Sequence, residues 1–245
     1  MVKWFRSYGL MCKWTFLSSR PWLSLNLAVQ LGISVAFIYG MGYFYGDIAT
    51  ATAKYLTTGS PTIVLLTVGL VVVPQVVASM RSEGTFDYIW SLPVPRMAHI
   101  AADATNTFGS MVPGILLSII LGKFHFGFDL NISWLVLPAV LLTAATATFV
   151  GYTIAFAVPK PMMVNIITQL MIFFVMMFSP VMYPSVNLPQ WLQSVHTVLP
   201  IQYMADLMRG TLTDLPANIG QSFLVVGAWF VGTFILTYFM VRRRN

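Results

Sequence analysis

Residues 61–79, PTIVLLTVGLVVVPQVVAS, form a run without a charged side chain, and residues 80–96, MRSEGTFDYIWSLPVPR, follow it directly. A helix needs about 20 apolar residues to cross a bilayer, so the first stretch predicts a membrane span. The second stretch contains two arginines, two acidic residues, three aromatic residues and two prolines. This composition predicts a short polar connection between that span and the next.

The whole chain has the same apolar character. Of its 245 residues, 58% are hydrophobic and 8% are charged, whereas soluble domains carry about 25% charged residues. The apolar runs are long and continuous, which favours helices over barrel strands that alternate in segments of about ten residues. We therefore predict an all-α integral membrane protein with a single transmembrane domain over residues 1–245. The single cysteine, Cys12, excludes an intramolecular disulfide framework.

Hydropathy predicts six membrane spans, at residues 22–46, 61–79, 97–121, 133–157, 162–182 and 220–241. Ten of the 13 basic residues then lie on the side of the termini, and three lie on the other side. Because basic residues concentrate in cytoplasmic segments, both termini are expected in the cytoplasm. The corresponding location is the cell (plasma) membrane, with lipid around the spans and no nucleic-acid partner.

The N-terminal 20 residues predict a helix that lies along the membrane surface. On a helical wheel the basic residues occupy one side and the aromatic residues the other. We expect this interfacial helix, residues 1–20, to end at Pro21, because proline disrupts the helical hydrogen bonds before it.

Residues 183–219, between spans five and six, are too apolar for a solvated loop. They predict short re-entrant helices folded against the outer face of the membrane. One of these is expected from Pro200 to Arg209, with Gly210 as its stop.

The motifs of common catalytic and nucleotide-binding sites are missing from the sequence. Neither G-x-S-x-G nor H-E-x-x-H occurs, and the three histidines lie in three separate regions. Gly122-Lys123 is followed by Phe124 and has no upstream glycine at P-loop spacing. We therefore expect no catalytic site, no metal site and no ATP bound by this chain. An intramembrane enzyme and a stand-alone channel remain the alternatives from other functional classes.

Polar residues within the spans are the remaining candidates for function. His99, Asp103, Asn106 and Ser110 form one stripe on the third span. The stripe fits either a proton or cation relay or a set of interhelical hydrogen bonds. The second interpretation is favoured because no second buried acid continues a relay.

Amides in three other spans predict a substrate cavity or ordinary helix packing, and the sequence leaves both open. The candidates are Gln30, Gln75, Asn165 and Gln169, with Phe173 beside them. Amides together with Met and Phe would suit an amphipathic substrate, because these side chains repack easily.

Two segments resemble ABC type-2 exporter permeases. The first is the connection at 80–96, with Glu83-Gly84-Thr85, Pro93 and Arg96, although Leu92 stands before Pro93 where the family often has Thr or Ser. The second is SPVMYPSVNLPQWLQSVHTVLPIQYMADLMRG, which matches at Pro184, Leu188, Pro189, Trp191, Pro200, Arg209 and Gly210.

The resemblance implies a permease that pairs with a second copy, or a related permease, and with two copies of a separate ABC ATPase subunit. ATP and Mg would be bound by that subunit. The connection at 80–96 would be the cytoplasmic coupling helix. Its expected contact residues are Glu83, Gly84, Thr85, Phe86, Asp87, Tyr88 and Trp90, and Arg96 is expected to anchor the next span.

The resemblance also implies a substrate path lined mainly by spans two and five, which includes Gln75, Asn165, Gln169 and Phe173. The outer helices would form a gate, with Pro184, Pro189, Trp191, Pro200 and Arg209 as its candidate residues. The first expectation is export of a hydrophobic or amphipathic drug, antibiotic or lipid. The alternative within transport is export of a lipid-linked glycan or polysaccharide.

Overall fold

The structure is a computed structural model that describes residues 2–41, 43 and 49–243, and the side chains of these except at 2, 3 and 243. Within this part of the chain all regular structure is helical. The predicted first span extends to residue 46, so its last residues lie partly outside the described part.

Ten α-helices occur in the described residues. They are α1 (Val2–Val35), α2 (Thr50–Thr67), α3 (Val73–Ser82), α4 (Thr85–Ser91), α5 (Arg96–Phe126), α6 (Val136–Ala157), α7 (Pro161–Phe178), α8 (Gln190–His196), α9 (Pro200–Leu212) and α10 (Ile219–Arg243). A π-helical turn, Ala36–Gly40, continues α1, and another, Val68–Val72, joins α2 to α3.

Six helical segments of the described chain are long and apolar enough to cross a membrane. Their bounds are Trp4–Gly40, Thr50–Ser82, Arg96–Phe126, Val136–Ala157, Pro161–Phe178 and Ile219–Arg242. The predicted all-α class and the six spans are confirmed. The fifth span, α7, is shorter than expected and ends at Phe178, just before Pro180.

The first helix does not end at Pro21, contrary to expectation. Helix α1 passes through this residue and continues to Val35. A proline removes one backbone donor, but membrane helices tolerate it when local adjustments satisfy the freed carbonyl. Residues 2–20 are therefore continuous with the first span, and their position along a membrane surface stays a prediction.

The second span lies at the centre of the bundle. Every residue from Leu56 to Leu66 is buried, and α2 and α3 between them contact α1, α5, α6, α7 and α9. The π turn Val68–Val72 precedes Pro74, whose ring would collide with a carbonyl one turn earlier in a regular helix. A wider turn at this place removes the collision.

Two glycines allow the second and fourth spans to touch through their backbones. A Cβ atom added at Gly151 would lie 2.1 Å from the carbonyl oxygen of Gly69, and one added at Gly69 would lie 2.5 Å from Cβ of Ala147. Small residues commonly mark close helix contacts in membranes, because burial of apolar surface there offers little driving force. This contact holds α6 against the central span.

The two ends of the bundle can be told apart by their contacts and turns. At one end, Asn131 and Ser133 donate their backbone N–H groups to the carbonyls of Leu212 and Thr211 at the end of α9. Lys54 forms an ion pair with Asp214 at the same end. We call it the α9 end, and the opposite end, where α3 turns into α4, the α4 end.

The glycine contact leads to a stability prediction. Replacing Gly151 with Ala should lower the free energy of unfolding by about 1–3 kcal/mol, the usual cost of overpacking, because backbone atoms cannot move aside as a flexible side chain can. Titration of the purified protein with a denaturing detergent measures this loss. Gly232→Ala is the matched control, since a Cβ there meets nothing within 4 Å. Equal stability of the two variants would contradict the assigned contact.

Candidate functional site

Helix α4 forms the connection between the second and third spans. Gly84 precedes it with φ of 73°, a left-handed conformation that glycine adopts without a steric penalty. This residue allows the chain to reverse sharply from α3 into α4. The short helix then ends before Pro93 and Pro95, as its sequence predicts.

The two faces of α4 have different environments. Phe86 and Ile89 are buried, with 4% and 3% of their surfaces exposed. The ring of Phe86 lies 4.7 Å from the ring of Trp90 and 5.7 Å from that of Phe156 on α6. On the opposite face Tyr88 is 65% exposed. Thus α4 is inserted into the bundle on one side and open on the other.

Two of the residues expected to contact the ATPase, Phe86 and Trp90, instead pack against other parts of this chain. Phe86 packs inside the chain, and Trp90 is half-buried beneath the guanidinium of Arg96, whose central carbon lies 4.6 Å from the ring centre. The geometry makes these residues anchors of α4, because their surfaces are already covered. The exposed candidates for a partner are Glu83, Gly84, Asp87 and Tyr88, while Thr85 is half-buried.

Arg81 joins the last turn of α3 to the end of α6. Its guanidinium donates hydrogen bonds to the carbonyl oxygens of Ala155, Val158 and Pro159, at 2.5, 2.9 and 3.0 Å. The last carbonyls of a helix have no partner within the helix, and arginine is well suited to bind them. Arg81 therefore satisfies the end of the fourth span and positions α4 relative to it.

Arg96, on the other side of the connection, also binds a backbone carbonyl near the end of a distant helix. It donates to the carbonyl oxygen of Val241 in α10, at 3.2 Å. The sequence indicated that Arg81 and Arg96 lie at the two ends of this segment. It contained no signal for their acceptors, because these are backbone carbonyls of distant helices.

Helix α7 presents two amides on an exposed face. Asn165, Gln169 and Phe173 follow one another at four-residue spacing, and all three are exposed. Neither amide side chain has a hydrogen-bond partner in the described part of the chain. Polar side chains in a span usually face protein or water, because lipid cannot satisfy them. The face defined by these three residues is therefore a candidate for a path or an interface.

The other two amides have partners. Gln75 donates to the hydroxyl of Thr168 at 3.1 Å and ties α3 to α7 at the edge of that face. Gln30 is 2% exposed and donates to the carbonyl oxygen of Ser110 at 3.0 Å. The structure places Gln30 in the packing between α1 and α5, so of the two interpretations left open by the sequence it is packing, and not a cavity, that applies to this residue.

The polar stripe on α5 consists mainly of interhelical contacts. Tyr152 of α6 donates to the carboxylate of Asp103 at 2.5 Å, and Asn106 donates to the carbonyl oxygen of Cys12 in α1 at 3.1 Å. This supports the hydrogen-bonding interpretation of the stripe. No group of three or more His, Cys, Asp or Glu residues that could hold a metal ion occurs in the described residues.

The segment after α7 contains α8 and α9. Pro189 precedes α8 and Pro200 is the first residue of α9, positions where a missing N–H costs nothing. Pro184 precedes a short 3₁₀ turn, and Trp191 on α8 is exposed. Gly210 does not stop α9, which continues to Leu212. The depth of these helices in a membrane stays a prediction.

Arg209 is the buried centre of this segment. It forms an ion pair with Asp206 at 2.5 Å and donates to the carbonyl oxygens of Pro180 and Val181 at 3.2 and 2.9 Å. Its guanidinium also lies over the ring of Tyr55 in α2, 4.1 Å from the ring centre. One side chain thus joins α9, the chain after α7 and the central span.

Burial dominates the electrostatics of this pair. It lowers the pKa of Arg209, against the attraction of Asp206, and raises the pKa of Asp206, against the attraction of Arg209. Arginine nevertheless remains charged at neutral pH. The attraction between the two groups and the bonds from Arg209 to two carbonyl oxygens offset part of this burial cost.

Removing the guanidinium should be strongly destabilising. We expect Arg209→Met to lower the free energy of unfolding by about 3–5 kcal/mol, because a carboxylate and two carbonyls lose their partner. Denaturation with detergent measures the loss. Adding Asp206→Asn should restore part of it, because the stranded charge is removed.

Lys54→Met is the control for this substitution. It breaks the ion pair with Asp214, whose side chain is 65% exposed, so we expect only a small change in stability. If Arg209→Met cost no more than Lys54→Met, Arg209 would not have the structural role assigned to it.

Residues 11–213 match the family model described as ABC-2 type transporter. The match covers most of the 245 residues and includes α4, α7, α8 and α9. A comparison with curated proteins gave no match. The family consists of membrane subunits for transport and implies an ABC ATPase as a partner. With its six candidate spans, this multi-pass membrane protein belongs to the family of ABC-2 type transporters.

Proposed function

We propose that the chain is the permease of an ATP-driven exporter that moves a hydrophobic or amphipathic compound out of the cell. A separate ATPase subunit, in two copies, supplies ATP hydrolysis. The observation that carries this proposal is α4, with its anchored inner face and its open outer face. A helix of this kind can receive a movement at the surface and transmit it to the spans.

The contacts of α4 support the transmission. Its inner face packs against Phe156 of α6, and Arg81 binds the carbonyls where α6 ends. Arg96 connects the same segment to α10. A displacement of α4 would therefore move the ends of the second, third, fourth and sixth spans together.

The exposed face of α4 supports docking of the ATPase. Tyr88 is exposed at its centre, Asp87 is exposed next to it in the chain, and Glu83 is exposed in the turn before the helix. Aromatic residues that become buried at the centre of a small interface contribute most of its binding energy. The two carboxylates favour a partner groove with basic side chains.

The α7 face supports a path shared with a second permease, either a copy of this chain or a related one. Asn165 and Gln169 lie there among Met, Ile, Leu and Phe side chains. A surface with two amides and many apolar groups suits an amphipathic substrate better than a long glycan, which offers hydroxyl groups along its whole length. Glycan export remains the alternative.

The proposed orientation places α4 and both termini in the cytoplasm of the cell, at the plasma membrane. The excess of basic residues near the α4 end supports it. In this orientation α8 and α9 lie on the outer side, where Arg209, Pro184, Pro189, Trp191 and Pro200 belong to a proposed gate.

Two substitutions test the coupling, one on the open face of α4 and one in the turn before it. We expect Glu83→Lys and Tyr88→Ala to reduce co-purification with a co-expressed partner ABC ATPase at least tenfold and to abolish export. Membrane insertion and thermal stability should not change, because both side chains are exposed. Trp134→Ala is the matched control, since Trp134 is also an exposed aromatic residue but lies between α5 and α6, away from α4.

Wild-type co-purification and transport in both variants would overturn the coupling role. A wild-type chain that remains alone in detergent when co-expressed with that ATPase would overturn the proposed function itself.

The substrate class can be tested with the reconstituted complex. We expect drugs and lipids with amphipathic character to stimulate ATP hydrolysis. Stimulation by glycolipids alone would favour glycan export instead.

A further inference from the structure

A second candidate site lies on the side of α3 away from α7. It is a cleft of about 490 Å³ between α1, α5 and the segment formed by the π turn and α3. We call it the α1–α5 cleft. Binding sites for small molecules commonly have volumes of about 300–1,000 Å³, so the cleft is large enough for such a molecule.

The cleft is amphipathic. Val68, Val72, Val73 and Val76 form one apolar wall. The facing side of α5 contributes polar groups from Asp103 to Ser110. Asp103 is seven residues from Arg96, or about 10 Å along a helix, so the carboxylate lies towards the α4 end and the apolar wall continues past it into the bundle.

The carboxylate of Asp103 has unused acceptor capacity. A carboxylate has about four acceptor positions, and the one described hydrogen bond comes from Tyr152 to Oδ2. No ion pair to Asp103 occurs within the described residues. His99 is one turn away on the same helix, but its ring packs against Trp14 and Phe86 and does not line the cleft.

A second acceptor lies one turn further along α5. Asn106 uses its amide N–H groups to bind the carbonyl oxygens of Cys12 and Ala102. This leaves its side-chain carbonyl oxygen as an acceptor, and Asn106 lines the same cleft as Asp103. A protonated amine has up to three N–H donors and a positive charge, so it complements this pair of residues.

We propose that the α1–α5 cleft binds an amphiphile with a protonated amine, whose ammonium group contacts Asp103 and Asn106 and whose apolar body lies along the valines of the π turn and α3. Such a ligand neutralises a carboxylate within a candidate span, where an unpaired charge is costly. The ligand can be a free amphiphile or a lipid with an amine headgroup. The site goes beyond the proposed transport function, because binding requires no ATPase.

The test measures binding of dansylcadaverine to the full chain, purified in detergent without an ATPase. This probe joins a primary ammonium to a fluorescent apolar group, and its N-acetyl derivative has the same body without the charge. We expect the amine to bind at least tenfold more tightly than the derivative. We also expect Asp103→Asn to weaken binding of the amine at least tenfold and to leave the derivative unchanged, since the amide can still accept the bond from Tyr152.

A second variant tests the cleft without changing its charge. Gly109 lines the cleft, and a Cβ added there meets nothing within 4 Å. Gly109→Leu should therefore fill the space without disturbing the fold and should weaken binding of the amine at least tenfold.

Two matched controls should bind the amine as the wild type does. Gly32→Leu adds the same side chain at an open position outside the cleft. Asp129→Asn removes a carboxylate from an exposed residue outside it. Equal binding of the amine and its derivative, or unchanged binding in Asp103→Asn or Gly109→Leu, would overturn the proposal.

The source of the ligand is distinguished by the lipid used. Binding of the amine is measured in nanodiscs of phosphatidylethanolamine, whose headgroup carries an ammonium, and in nanodiscs of phosphatidylcholine. Weaker binding in phosphatidylethanolamine means that the lipid competes for the site, and this result identifies a lipid as the occupant. Equal binding in the two lipids identifies a free amphiphile. Failure of ATPase co-purification would affect neither result, so the two proposals fail separately.

Discussion

The backbone carbonyls at the ends of the fourth and fifth spans require hydrogen-bond donors. The arrangement of the rest of the bundle depends on which side chains donate to them. Arg81 supplies the donors for the end of α6. Arg209 supplies them for Pro180 and Val181 after α7, and His196 donates to the carbonyl oxygen of Phe178. In a membrane an unsatisfied backbone group is too costly to be left alone. These contacts therefore fix α4 at one end of the bundle and α9 at the other.

The two arginines have this effect because each belongs to a different element from the carbonyls it binds. Arg81 is on α3, and its acceptors lie in the last turn of α6 and just after it, so the fourth span cannot shift without the connection that leads to α4. Arg209 is on α9 and also contacts Tyr55 on α2. The central span is thereby linked to both ends, and a movement that begins at α4 can reach α9 through it.

Helix α3 separates the two candidate binding regions. Gln75 binds Thr168 on α7, whereas Val73 and Val76 line the α1–α5 cleft. The α7 face and the cleft thus lie on different sides of one helix that leads directly into α4. This arrangement explains how a single displacement of α4 would act on both the proposed path and the proposed amine site.

The sequence by itself determined the all-α class, the six spans and the short helix after the second span, because hydrophobic length and turn residues act locally. It could not determine which side chains face inward when both choices are chemically reasonable. Phe86 was expected at a partner surface and Gln30 in a cavity, yet both are buried in helix packing. Likewise Pro21 indicated a helix end, but α1 continues through this residue. The loss of one backbone hydrogen bond is local, and a membrane helix tolerates it. Tertiary structure decided these points. It also decided which carbonyl groups Arg81 and Arg209 bind, because these groups are brought to the arginines from distant parts of the chain.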